Sequence, residues 1–214
     1  MLMEIYHKLL EHFGPQGWWP GETPFEIMVG AILTQNANWR NVERAIENLK
    51  KQNLLSCEKI HRLPIEKLAE LIRPSGFYNL KAKRLKKFVE YFFEKYGGDA
   101  ERMKKMDGEK LRKELLSIPG IGKETADSIL LYALEKPFFV VDAYTRRFLS
   151  RHGIMDYHED YDKIRLFFER NIPRDVYIYN EYHALLVRLG KTYCRKKEEC
   201  EKCPLRSYLP ENRE

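Results

Sequence analysis

Apolar residues recur at three- and four-residue steps along nearly the whole chain, and that spacing confines the fold to packed helices. Leu85, Phe88, Val89, Phe92 and Phe93 form one such face, and Ala126, Ile129, Leu130 and Ala133 form another. Sustained alternation of apolar and polar residues, the mark of a half-buried strand, is absent. Breakers at Pro20-Gly21, Pro64, Pro74-Ser75-Gly76, Gly97-Gly98, Pro119-Gly120, Pro137, Gly153 and Pro173 cut the pattern into roughly ten helices. Thr23-x-x-Glu26 reads as a capping box that opens one of them. The expectation is an all-α protein.

A length of 214 residues suits one sizeable core or two modest lobes, and 43% apolar with 33% charged residues is ordinary for a soluble globular protein. No apolar run reaches the roughly 18 residues needed to cross a bilayer, because 129–141 is cut by Glu135-Lys136-Pro137. The N-terminus lacks a basic region followed by an apolar block and a cleavage site, so a cytoplasmic location with no membrane partner is expected. A formal charge of +6 favours a polyanionic partner.

The densest local signal is Leu116-Ser117-Ile118-Pro119-Gly120-Ile121-Gly122-Lys123-Glu124-Thr125-Ala126-Asp127. Gly120 and Gly122 admit φ > 0 and carry no Cβ, so the backbone turns tightly and a ligand approaches closely. A helix starting at about Lys123 directs unpaired N–H groups and a positive dipole end into that turn. Such a turn is an anion site, and a phosphodiester suits a basic protein. A plain helix connection containing glycine reads the same way in isolation. Asp142, in Val140-Val141-Asp142-Ala143-Tyr144, is either a helix N-cap or a carboxylate available for chemistry, and the two roles can coexist.

Ile118 to Ala126 together with Val141-Asp142 resembles the helix-hairpin-helix and Gly/Pro-rich-Asp signature of the base-excision DNA glycosylase superfamily, whose best-known member is endonuclease III. Trp18-Trp19-Pro20, Gly30-Ala31-Ile32-Leu33-Thr34-Gln35-Asn36, and the stretch from Arg73 to Leu85 resemble its 3-methyladenine DNA glycosylase III branch. The resemblance runs from Trp18 to the end of the chain. It implies two helical lobes with a cleft between them. One is a six-helix domain, 23–135, with the hairpin motif at about 110–135; the other, 1–22 plus 136–214, takes in the first helix and a C-terminal cysteine loop. It also implies a monomer acting on double-stranded DNA that holds a damaged base, with hairpin and Asp142 at the mouth of the cleft.

Cleaving a base from its sugar develops positive charge at the anomeric carbon, and a fixed anion such as Asp142 stabilises that state and orients the attacking water. Bifunctional members carry a nucleophilic lysine one position after the match to Lys123, where this chain has Glu124. Lys123 is a poor substitute, since adjacent residues on a helix point about 100° apart. A monofunctional glycosylase without appreciable AP lyase activity is therefore expected. Glu124 itself is either a solvated first-turn acid or part of the base pocket.

Gln35 matches the position that fills the gap left by an extruded base, with Asn36 against the neighbouring strand; as residues alone they also read as a C-terminal cap. Trp18, Trp19 and Trp39 match the aromatic base pocket, although buried aromatics are more often core. A methylated purine is cationic, and stacking it on indole contributes roughly 1–2 kcal/mol when desolvated. Lys81, in the basic stretch from Arg73 to Leu85, reads by itself as part of a solvated helix start; the resemblance implies that it reaches a phosphate, joining Gly120, Gly122 and Lys123 as DNA contacts.

Cys194, Cys200 and Cys203 form Cys-x5-Cys-x2-Cys before Pro204, a pattern that favours metal ligation over disulfides in a cytosolic protein. The resemblance implies a [4Fe-4S] cluster on four cysteines. Here the first gap is one residue shorter and Leu209 stands at the fourth position, so a cluster with another fourth ligand, a zinc site and no metal all stay open. Cys57 reads as a small buried hydrophobe. The expected function is excision of 3-methyladenine-type purines. The rivals are a uracil or thymine mismatch glycosylase, a non-catalytic DNA-binding helix-hairpin-helix module and, more weakly, an adenine mismatch glycosylase, whose usual extra domain is not seen here.

Overall fold

A computed structural model of the protein describes residues 1–210. Among them every α or 3-10 segment is a helix and none is a strand. In chain order the α-helices are α1 (Leu2–Phe13), α2 (Pro24–Leu33), α3 (Trp39–Lys51), α4 (Cys57–Arg62), α5 (Ile65–Leu71), α6 (Tyr78–Tyr96), α7 (Ala100–Lys104), α8 (Gly108–Ser117), α9 (Lys123–Ser128), α10 (Ala143–Arg151), α11 (Tyr161–Asn171) and α12 (Val176–Thr192). The chain divides into two compact units: Pro20–Lys136, and Met1–Trp19 together with the chain from Pro137 onward. Both junctions fall at prolines, which cannot continue a preceding helix.

Unit Pro20–Lys136 holds α2 to α9, eight α-helices rather than the six expected. The surplus comes from Pro64 and from caps at Ser56, Asp99 and Asp107, which cut out short helices that periodicity alone merges. α2 is its centre, with Met28, Val29, Ile32 and Leu33 fully buried, and it packs against α3, α6 and α9. Its start follows the capping signal: Thr23 Oγ1 accepts the Glu26 N–H at 3.1 Å. Glu26 returns to the Glu22 N–H (3.1 Å), one residue before the usual box partner, and pairs with Lys50 of α3 at 2.9 Å. The α6 stripe is buried as its spacing requires: Leu85, Phe88, Val89 and Phe92 are at 0% exposure, each contributing about 1.5–3 kcal/mol. α9 runs straight into a π-helical turn, Ile129–Ala133, closed by the Leu134 N–H on Ile129 O at 3.1 Å.

In the other unit α12 is the axis and α1 and α10 lie against it. Phe139 stacks on Phe168 with centroids 4.0 Å apart, Tyr182 meets both edge-on, and the Tyr182 hydroxyl donates to Leu2 O at 2.8 Å, which fixes α1. Gly190 lets α12 approach α10 closely, because a Cβ there would overlap the Tyr144 ring. Among the described residues no helix is long and apolar enough to cross a membrane.

Candidate functional site

The hairpin joins α8 to α9 through Ile118 to Gly122. Ile118 and Ile121 are buried and anchor the turn, with the Ile121 N–H on Ile118 O at 3.0 Å. Gly120 has φ +91°, a conformation that side chains rarely adopt, and a Cβ there would run into the Arg84 side chain. Gly122 differs from expectation: at φ −90°, ψ 176° it is extended backbone, and its Cα faces open space, so only close approach from outside argues for glycine there. Lys123 and the exposed Glu124 form the first turn of α9.

Two sets of contacts fix this hairpin. Arg112 of α8 grips Asp127 of α9 through two parallel bonds, Nε to Oδ1 at 2.6 Å and Nη2 to Oδ2 at 3.1 Å, with the aspartate wholly buried. Beside it, Gln35 Nε2 donates to Gly120 O and Thr125 Oγ1, both at 3.0 Å, while Arg84 Nη1 donates to Gln35 Oε1. The Gln35 amide is thus committed to the hairpin, and Asn36 after it is exposed at φ 50°. A Gly120→Ala variant is expected to lose about 1–2 kcal/mol of stability through its backbone alone and to bind duplex DNA more weakly. Thermal melts and a salt-dependent binding titration check this.

Lys81 corrects an expectation. Its side chain is 1% exposed, and Nζ donates to Leu33 O (2.7 Å) and Ser75 O (2.6 Å), so it pins the start of α6 to the end of α2 and does not reach a phosphate. Burial, with Arg84 nearby, pulls its ammonium down to about 8. The same turn instead presents Phe77, 69% exposed on left-handed backbone (φ 45°). Trp39 opens α3 and donates from Nε1 to Glu43 at 2.7 Å.

The carboxylate lies in the other unit. Phe138 to Val141 are buried and extended, held by the Phe139 N–H on Glu169 (3.0 Å) and the Val141 N–H on the Tyr161 hydroxyl (3.3 Å). They deliver Asp142 to the start of α10, where Oδ1 accepts the Thr145 N–H at 2.8 Å and its hydroxyl at 3.1 Å. Oδ2 faces His183 Nε2 of α12 at 3.3 Å, the two side chains being 14% and 5% exposed. Burial pushes the carboxyl up, but the neighbouring His183 ring and the Thr145 bonds outweigh it and hold Asp142 below its ordinary value. The result is a fixed anion at neutral pH.

Trp18 and Trp19 belong to the same unit. Their ring centroids are 5.8 Å apart, and Trp18 lies 5.7 Å from the His183 ring. Glu181 of α12 holds their approach by accepting the Gln16 N–H at 2.5 Å and the Gly17 N–H at 3.4 Å. Sequence reading missed His183 and Glu181. Their signal was two ionisable residues on either side of Tyr182, entering the apolar run from Ala184 to Val187, both almost fully buried.

Cys194, Cys200 and Cys203 line one pocket with Arg151, His152 and Leu209. Burial raises the Cys203 thiol, and the neighbouring sulfurs of Cys194 and Cys200 add to the rise. Arg151 donates to Cys194 Sγ (3.2 Å) and Arg195 O (2.7 Å) and pairs with Glu198 at 3.2 Å. Among the described residues no three His, Cys, Asp or Glu side chains stand in ready metal-ligating geometry. Cys57 lies apart in the other unit, buried, its thiol pushed up to about 11 by desolvation.

A family model described as "HhH-GPD superfamily base excision DNA repair protein" matches residues 29–174, a span that takes in both the α8–α9 hairpin and Asp142. The chain belongs to the HhH-GPD superfamily. Within that superfamily it is 55% identical over 210 residues to a Methanocaldococcus jannaschii protein named "Putative DNA repair glycosylase MJ1434", covering 97% of this chain and 95% of that one. It is 34% identical to the H. pylori 3-methyladenine DNA glycosylase solved with 1,N6-ethenoadenine, with a TM-score of 0.75 over 89% of this chain and 97% of the other. A non-covalent endonuclease III–DNA complex shares the fold, with a TM-score of 0.83 over 99% of this chain and 96% of that chain at 21% identity. The HhH-GPD chain is therefore an all-α, endonuclease III-like DNA glycosylase, similar to the 3-methyladenine branch.

Proposed function

We propose that this glycosylase is monofunctional and hydrolyses the N-glycosidic bond of an alkylated purine of the 3-methyladenine type, flipped out of duplex DNA. The observation that carries the reading is the run of contacts Trp19, Trp18, His183, Asp142 within one unit, which sets indole rings beside an ionised carboxylate. A methylated purine is a cation that indole faces attract, and it leaves readily with the bonding electrons. Asp142 stabilises the positive charge that then develops on the sugar, orients the water that adds to it, and accepts that water's proton. Gln35 takes up the space the base vacates by exchanging its hairpin bonds, with Asn36 against the neighbouring strand. The α8–α9 hairpin holds a phosphate through the backbone at Gly120, Gly122 and Lys123, and Phe77 is shaped to insert at a base step.

Glu124 offers no amine to form a Schiff base, so strand cleavage should not accompany base loss. Incubation with duplexes carrying 3-methyladenine, uracil or 8-oxoguanine tests the reading. Release of the alkylated base, with strand breaks only after alkali, is expected. Nicking without alkali overturns the monofunctional assignment, and release of uracil alone transfers the substrate to the mismatch class.

The [4Fe-4S] cluster that the resemblance implies would be held by Cys194, Cys200 and Cys203, three soft donors on one pocket wall. Leu209 offers nothing, but His152 lines the same pocket, and its Nδ1 donates to Phe148 O at 2.8 Å, the type of bond that orients the other ring nitrogen toward a metal. Such a cluster would supply a structural clasp for the loop; zinc would use the same donors. Metal analysis is expected to find iron and sulfide, and chelation should raise proteolysis between Cys194 and Cys200. A colourless zinc protein replaces the cluster by zinc, and a metal-free protein with full activity removes both.

A further inference from the structure

We infer that His183 is a positioning residue for Asp142, fixing the direction of the one carboxylate oxygen left for chemistry; this rests on the assignment of Asp142 proposed above. The two oxygens of Asp142 are not equivalent. Oδ1 takes both the N–H and the hydroxyl of Thr145 and so serves as the cap of α10. Oδ2 alone remains, and the side chain facing it is His183, 3.3 Å away through Nε2. The two hydrogen bonds on Oδ1 restrain but do not lock rotation about Cβ–Cγ, where the terminal torsion is broad, and any such rotation carries Oδ2 with it. A ring nitrogen facing Oδ2 from a different helix removes that freedom.

The ring is itself well fixed. His183 is 4% exposed on α12, the central helix of its unit, and the Trp18 ring lies 5.7 Å from it at 60°. Two residues earlier on the same helix, Glu181 secures the segment that carries Trp18 through the Gln16 and Gly17 N–H groups. α12 thus sets the carboxylate and the aromatic segment by way of side chains spaced i and i+2. A displacement of about 1 Å at a reacting group can cost about 10²-fold in rate, so a residue that never touches substrate can still govern the chemical step.

Three variants and one spectrum test this. His183→Phe keeps a ring against Trp18 but offers no nitrogen, and His183→Met serves where Phe does not fold. His183→Gln keeps an N–H donor in place of Nε2. Under enzyme excess and well below each variant's Tm, base release from a 3-methyladenine duplex should fall about 10- to 100-fold for Phe or Met and recover to within about five-fold of wild type for Gln, while duplex Kd stays nearly constant. In wild-type protein, 15N NMR should show a proton on His183 Nε2 at neutral pH, with a signal that moves in Asp142→Asn. A Phe or Met variant at wild-type rate, or an unprotonated Nε2 insensitive to Asp142→Asn, overturns the inference. Should Asp142→Asn itself keep full activity, it is the assignment of Asp142 that falls.

Discussion

Replacing Asp127 by alanine is expected to lower the unfolding free energy by about 3–5 kcal/mol, because it takes from the buried Arg112 guanidinium the carboxylate that accepts two of its bonds. Arg112 is 8% exposed and both of its bonds to Asp127 are internal to the helix pair that forms the hairpin. The pair need not stabilise the fold relative to an apolar replacement, since desolvation offsets much of its attraction. A double variant, Arg112→Met with Asp127→Leu, should therefore recover much of the lost stability. Urea unfolding with an unchanged m-value reads the effect, and a loss below about 1 kcal/mol would show that the pair is already solvated. Duplex binding should weaken along with it, because α8 and α9 carry the turn between them.

Asp142→Asn is expected to reduce base release by about 10²–10³-fold, the range seen when one group that stabilises developing charge is removed. Asparagine caps helices as well as aspartate does, so α10 should keep its start on Thr145 and the variant should fold. What disappears is the negative charge. The pH dependence follows from the depressed carboxyl: the ionised form exists above the folded pKa, so activity should hold as pH falls to the ordinary aspartate value of 3.8 and decline only below it. The same sign applies to stability. The contribution of Asp142 is fully present above the unfolded value and is lost as acid titrates the folded carboxyl.

Much of this was legible locally. The α6 stripe, the Thr23 cap, the turn at Pro119-Gly120 and the cap at Asp142 each depend on residues within a few positions, and each reads from spacing or side-chain chemistry. Lys81 was misread although its register held the clue: it precedes Leu85 and Phe88 by four and seven residues and so shares their buried face. The basic neighbours Lys83 and Arg84 masked that. Gly122 looked like a second positive-φ glycine because composition cannot separate a strained turn from an open approach. The Asp142–His183 contact joins two helices far apart in the chain, and no local pattern announces such a pair. The same holds for Arg112 and Asp127, whose register depends on how the turn sets one helix against the other.

In the proposed reaction a fixed negative oxygen at Asp142 drives the bond-breaking step once the α8–α9 hairpin has bound the duplex. The most direct test is rapid-quench base release under enzyme excess from a 3-methyladenine duplex, comparing wild type with Asp142→Asn after matching the fraction of duplex bound. A fall of about 10²-fold or more at equal binding is the predicted result, and equal rates from a folded, fully bound variant would contradict it.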